Sequence, residues 1–165
     1  MHLTPLVLAS VLSATAAAID VHLHYHGGND ACSSFATAWC TNLNPNTCCH
    51  SLQGNPYGAI SFRAIPSEWD LDLRLHTGDR DCGSAVVTGR SWGQTYVCLG
   101  SPVSVHGGGY GFRGKKREVS VAGGEQEGSQ ECQRADKLRL EDGVVYDLEG
   151  LDEEQYNEMV RFNLF

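Results

Sequence analysis

Residues Ile19 to His26 alternate strictly: Val21, Leu23 and Tyr25 fall on one face, His22, His24 and His26 on the other. That is the period of a strand with one buried face. Gly27-Gly28-Asn29-Asp30 ends it, and Ala31 to Cys40 predicts a short helix with Asp30 as its cap. Asn42 to Cys49 is a turn-rich connector, followed by strands over Ala59 to Ile65 and Trp69 to Leu75. In the second strand Trp69, Leu71, Leu73 and Leu75 oppose Asp70, Asp72 and Arg74, so a charged outer face is expected.

Ala85 to Thr88 and Thr95 to Leu99 predict a hairpin around Gly89-Arg90-Ser91-Trp92-Gly93. Short strands are expected over Pro102 to Val105, Tyr110 to Phe112 and Glu118 to Ala122, between glycine runs; Gly123 to Gln133 is polar and reads as flexible. Leu138 and Leu140, then Glu141-Asp142-Gly143, then Val144, Tyr146 and Leu148 predict a second hairpin with an Asp-Gly turn. Asp152 caps a final helix over Glu153 to Phe162, whose acidic first turn suits the helix dipole. Tyr156, Met159 and Val160 lie at helical spacing and are expected to pack on a sheet. The whole pattern predicts a mainly β (α+β) fold. It is a small, disulfide-stapled antiparallel β-sandwich or sheet with a short N-terminal helix and a C-terminal helix.

Residues 1–18 change the picture of where this fold works. Leu6 to Leu12 is a short apolar run, and Ala16, Ala17 and Ala18 offer the small residues of a signal-peptidase site. The run is shorter than the roughly 20 residues that span a bilayer, and no later segment is apolar enough. Residues 1–18 are therefore expected to be a cleaved signal peptide, and residues 19–165 a single secreted, extracellular domain with no membrane contact.

Outside the cell disulfides persist, and a glycine-rich chain gains from them. The chain has seven cysteines: Cys32, Cys40, Cys48, Cys49, Cys82, Cys98 and Cys132. An odd count allows three intrachain bridges at most. Cys32, Cys40, Cys48, Cys49, Cys82 and Cys98 are the disulfide candidates. Cys48 and Cys49 should reach two different partners, because a bridge between neighbours is strained. Cys82 and Cys98 flank the expected hairpin and make a plausible pair. Cys132, isolated beyond Lys115-Lys116-Arg117, is the candidate for the odd cysteine or for a tether of the acidic third.

The formal net charge is −8. Residues 118–165 hold four basic and thirteen acidic residues, which argues against nucleic-acid binding there and for solubility. Lys115-Lys116-Arg117 resembles a dibasic processing site, with an uncut basic turn as the preferred reading.

Motif spacings yield little chemistry. Gly89-Arg90-Ser91-Trp92-Gly93 fits G-x-S-x-G but joins two strands, where a nucleophile elbow needs a strand running into a helix. Gly109-Tyr110-Gly111-Phe112-Arg113-Gly114 fits G-x-G-x-x-G but precedes no helix that could receive a phosphate, so glycines in a tight or exposed β-turn account for it. His22, His24 and His26 share one strand face and are the metal candidates, suited as neutral imidazoles to copper or zinc. No cofactor is expected beyond this. Glu68, His76 and Arg90 are the residue types of a small secreted ribonuclease, though nothing in their spacing singles them out.

The leader, the cysteine set with its adjacent pair and the β-rich, glycine-rich body resemble the small secreted cysteine-rich proteins of filamentous fungi. That resemblance implies an extracellular, effector-like protein. The expected function is non-enzymatic binding of an extracellular protein or glycan. A secreted hydrolase such as a ribonuclease, or a metal-binding module built on the N-terminal histidines, is the alternative.

Overall fold

A computed structural model of the chain describes residues 18–25, 32–34, 36–51, 57–78, 82–114 and 131–162. Most of the expected leader, His26, Asp30, the basic triplet at 115–117 and the strand expected at 118–122 lie outside the described residues.

Eleven strands and one helix are described. One sheet, the first, has the order β11(Val145–Asp147), β10(Lys137–Arg139), β2(Thr37–Leu43), β1(Ile19–His24), β4(Tyr57–Arg63) and β7(Val97–Val105). The second runs β6(Ser84–Arg90), β5(Leu71–Thr77), β8(Gly107–Phe112), β3(Thr47–His50) and β9(Glu131–Arg134). The helix α1(Glu153–Phe162) closes the described chain. The fold is therefore mainly β, with two sheets, three disulfides and a C-terminal helix.

The core forms where the alternating faces meet. Val21 and Leu23 of β1, Ala38 and Cys40 of β2, Ile60 and Phe62 of β4, and Leu71, Leu73 and Leu75 of β5 are all buried in one cluster with Tyr110 and Cys49. Tyr156 and Val160 of α1 join it, and Met159 packs against it. Asp152 caps α1: its Oδ1 accepts a hydrogen bond from the Gln155 amide (2.9 Å), while Gln155 Oε1 accepts one from the Asp152 amide (3.2 Å). This reciprocal box satisfies donors that a helix start leaves open. Asp152→Ala should lower stability by about 1 kcal/mol, read from the shift of a urea unfolding curve. The Leu138 hairpin forms as expected, with Leu138 opposite Tyr146 and Gly143 at φ 83°.

Several expectations are corrected. Residues 37–40 are strand, not helix: Ala38 and Cys40 point to the core while Trp39 is only half-buried, so the period is two. A short run of small and apolar residues carries both periods, and tertiary pairing with β1 decides. The sheets are not wholly antiparallel, because β3 and β9 pair in parallel. The hairpin around residues 89–93 does not form. β6 pairs with β5 in the second sheet and β7 with β4 in the first, so this segment crosses between sheets. Packing at the crossover explains it: a Cβ on Gly89 would stand 2.8 Å from Leu99 Cδ2, so the glycine admits a side chain from the opposing sheet.

Within Gly109 to Gly114 only Arg113 and Gly114 form an exposed turn. The strand expected over Tyr110 to Phe112 forms and extends back to Gly107. It is the buried central strand β8. A Cβ at Gly107 would meet Cys48 Sγ at 2.8 Å, and one at Gly108 would meet Ile60 Cγ2 at 2.7 Å. These glycines let a disulfide press on one side of the strand and an isoleucine on the other.

The bridges join Cys32 to Cys98, Cys40 to Cys49 and Cys48 to Cys82. Adjacent residues of a strand point to opposite faces. Cys49 therefore reaches inward to β2 of the other sheet, while Cys48 reaches outward to the segment before β6. The expected Cys82–Cys98 pairing is replaced, since those residues sit on opposite sides of the crossover. Cys132 stands exposed on β9, outside the three bridges, so no disulfide tethers the C-terminal strands.

Candidate functional site

The crossover from β6 to β7 carries the most exposed large apolar side chain among the described residues. Trp92 is 71% exposed. Its backbone has φ 52° and Gly93 follows at 73°, with the Gln94 amide donating to the Ser91 carbonyl (2.9 Å). Positive φ at both central residues defines a type I′ turn, whose first central position favours Asn, Asp or Gly. A tryptophan there is held in a conformation costing of order 1 kcal/mol.

The turn is anchored from below by Ser91. It is fully buried; its Oγ accepts from the Leu71 amide (2.9 Å) and donates to the Trp69 carbonyl (3.1 Å). Ser91 thus pins the crossover to the start of β5, and its burial removes it as a nucleophile.

Beside the turn, the Arg90 guanidinium lies 3.8 Å from the centre of the Trp92 ring. Arg90 is itself gripped by Asp70, with Nε and Nη2 donating to the two carboxylate oxygens. These hydrogen bonds hold the Asp70 carboxyl below its usual range and raise Arg90. The order Asp70, Arg90, Trp92 makes a braced stack: the carboxylate fixes the fork, and the fork supports one face of the indole.

The stack borders an open groove of about 500 Å³ on the outer face of the second sheet, lined by Asp72, Arg74, Thr88, Gly89, Arg90, Trp92 and Arg113. Strand register explains the lining. Asp72 opposes Arg90 and Arg74 opposes Thr88, so all four project from the same face of β5 and β6. Gly111 of β8 leaves room for Arg74, whose Nη2 lies 2.6 Å from where a Cβ would be. Arg113, just past β8, reaches Asp72 at 3.7 Å, with both side chains about half exposed. Hydrophobic periodicity does not single out Trp92. Its signal was an aromatic residue at a Gly-bounded turn, two positions after an arginine.

The ribonuclease candidates do not converge on this groove. Arg90 belongs to it, Glu68 is exposed in the turn before β5, and His76 is 1% exposed. His76 stands four positions along β5 from Asp72, the register partner of Arg90, about 13 Å away.

The histidine face of β1 is covered, not open. His24 is fully buried, and His22 stacks on Trp39 with ring centres 4.9 Å apart. His24 bonds to two hydroxyls, Nδ1 to Ser34 Oγ (3.2 Å) and Nε2 to Ser61 Oγ (2.8 Å). Ser34 gives its proton to the Ala36 carbonyl, so it accepts from Nδ1–H. Ser61 accepts from Arg63 Nε and therefore donates to Nε2. Burial first, then the charge of Arg63, lowers His24 to about 4; the same causes lower His22 to about 3. Both ring nitrogens of His24 are thus engaged. Among the described residues no three His, Cys, Asp or Glu side chains are grouped as a metal would need.

No curated protein and no solved structure matches the chain. A family model does, over residues 20–136, which takes in β1 to β9 and all three disulfides. Its name refers to a fungal protein, which fits the class-level resemblance to cysteine-rich fungal proteins. The chain belongs to the family ARB_05566_N, described as an N-terminal domain.

Proposed function

We propose that this is a secreted, effector-like protein that acts by binding an extracellular protein or glycan, without turnover, through the groove beside Trp92. The observation that carries the reading is Trp92 itself. An indole 71% exposed, on a backbone that disfavours it and braced by Arg90 and Asp70, costs stability without serving the core. Features of that kind belong to binding surfaces. Three disulfides suit an extracellular setting, and among the described residues no helix is long and apolar enough to cross a membrane. Residues 1–18 act as the leader, so the secreted form begins at Ile19.

Trp92→Asn tests the surface. Asparagine tolerates positive φ, and the strain it relieves roughly offsets the lost stack on Arg90, about 0.5–1 kcal/mol. Stability should change little. Binding to an array of extracellular glycans and matrix proteins should fall roughly tenfold, the effect of losing one anchoring aromatic residue. Equal binding by the variant would sink the assignment of this groove. N-terminal sequencing of protein from the culture medium should read from Ile19, and a start at Met1 would overturn the secreted reading.

A further inference from the structure

The groove's chemistry narrows the ligand. We propose that it holds a carboxylate-bearing oligosaccharide, a polyuronate, with one sugar ring on the open face of Trp92 and a neighbouring carboxylate on Arg113. This rests on the groove being the binding surface.

Three observations carry it. First, Arg90 occupies one face of the indole and the side chain is still 71% exposed, so a flat apolar face is left for a ring of similar size. Sugar rings present such faces through their C–H groups. Secondly, apart from Trp92 the lining is arginine, aspartate, threonine and glycine. That suits a ligand rich in hydroxyls, which the Arg forks and Asp72 can hydrogen-bond, and offers no pocket for an apolar side chain. Thirdly, with Arg90 neutralised by Asp70, the lining leaves Arg74 and Arg113 against Asp72, a local excess of one positive charge in a chain whose net charge is −8. The positive charge is local, and it selects an anion.

The arginines divide the work. Arg90 is bound by both oxygens of Asp70 and acts as a positioning residue for the indole. Arg113 touches Asp72 only at 3.7 Å, with its side chain 53% exposed, and can turn its fork to a ligand carboxylate. An acidic peptide would satisfy the charge but would leave the indole face without a matching ring.

The test is calorimetric titration of the secreted chain with an oligogalacturonate, its methyl ester, a neutral cello-oligosaccharide and an oligoglutamate, repeated at two salt concentrations. The oligogalacturonate should bind, and the ester, the neutral sugar and the oligoglutamate should each bind roughly tenfold more weakly or worse. Trp92→Asn should weaken oligogalacturonate binding about tenfold, and Arg113→Ala should weaken it and flatten its salt dependence. Equal binding of the ester or the neutral sugar, still lost in Trp92→Asn, overturns the uronate assignment and leaves the groove standing. Oligoglutamate binding as tightly as the uronate overturns the sugar assignment. If no titrand binds while the Trp92-dependent array signal persists, the ligand class is wrong and the surface is right. If that signal is absent too, both fall.

Discussion

Replacing Cys32 and Cys98 together by alanine should lower the unfolding free energy by about 4 kcal/mol, the largest loss expected from any one bridge. The ranking follows from chain separation. Cys32–Cys98 closes 66 residues, Cys48–Cys82 closes 34 and Cys40–Cys49 only 9. A longer closed loop removes more freedom from the unfolded chain, so Cys40 and Cys49 replaced together should cost less, about 3 kcal/mol. Denaturant unfolding of the two double variants under identical oxidising conditions gives the comparison. A reversed order would mean that native contacts, not chain entropy, dominate. Such contacts exist: Cys98 opposes Ser61 in the β4–β7 register, and the bridge carries the segment of Cys32 and Ser34 to the outer side of the first sheet, over His24.

The second large effect is acid lability. His24 has a folded pKa of about 4 against an ordinary 6.5, because burial and Arg63 oppose its charge. Between those values the unfolded chain takes up a proton that the folded chain refuses. Stability from this group is therefore complete above pH 6.5, falls as pH drops toward 4, and levels off below that. The loss is about 3 kcal/mol over the window for His24 alone. His22, lowered to about 3 by burial, Arg63, His24 and Arg139, extends the slope to lower pH. Urea unfolding at pH 7, 5.5 and 4 should show the decline, and His24→Asn should remove about one proton from it. A wild-type slope matched by the variant would show that His24 is not the group that titrates. The two effects are linked. Without the Cys32–Cys98 bridge, Ser34 loses its covalent hold beside His24, so the acid slope of that double variant should be shallower.

What the sequence made readable depended on how local its signals were. β1 and β5 were legible because each buries one face and leaves the other polar. α1 was legible from its capping residue, and β10–β11 from an Asp-Gly turn. The crossover at residues 89–93 was not. Glycines near a turn suggest a hairpin, while the deciding contact, Gly89 against Leu99, joins strands in opposite sheets. β8 was legible only over Tyr110 to Phe112, because the glycines before it have no hydrophobic alternation to read and their neighbours' side chains supply the packing. The His22 and His24 face looked solvent-exposed because alternation cannot tell which segment will cover a polar face. Trp92 has no periodic signal of its own: the G-x-S-x-G run around it points to Ser91, which the structure buries.

All three bridges close within residues 32–98. Strands β8, β9, β10 and β11 and helix α1 come after the last bridged cysteine; β10 and β11 edge the first sheet, β9 edges the second and β8 is the second sheet's centre. Under tension the chain would therefore behave as two materials. A pull on the C-terminus is carried by hydrogen bonds and side-chain packing alone, so α1 and the edge strands peel away at low force. Only after β8 and β7 have been drawn out as well does the load reach Cys98, where covalent bonds take it and the loop from Cys32 to Cys98 can lengthen no further until sulfur is reduced.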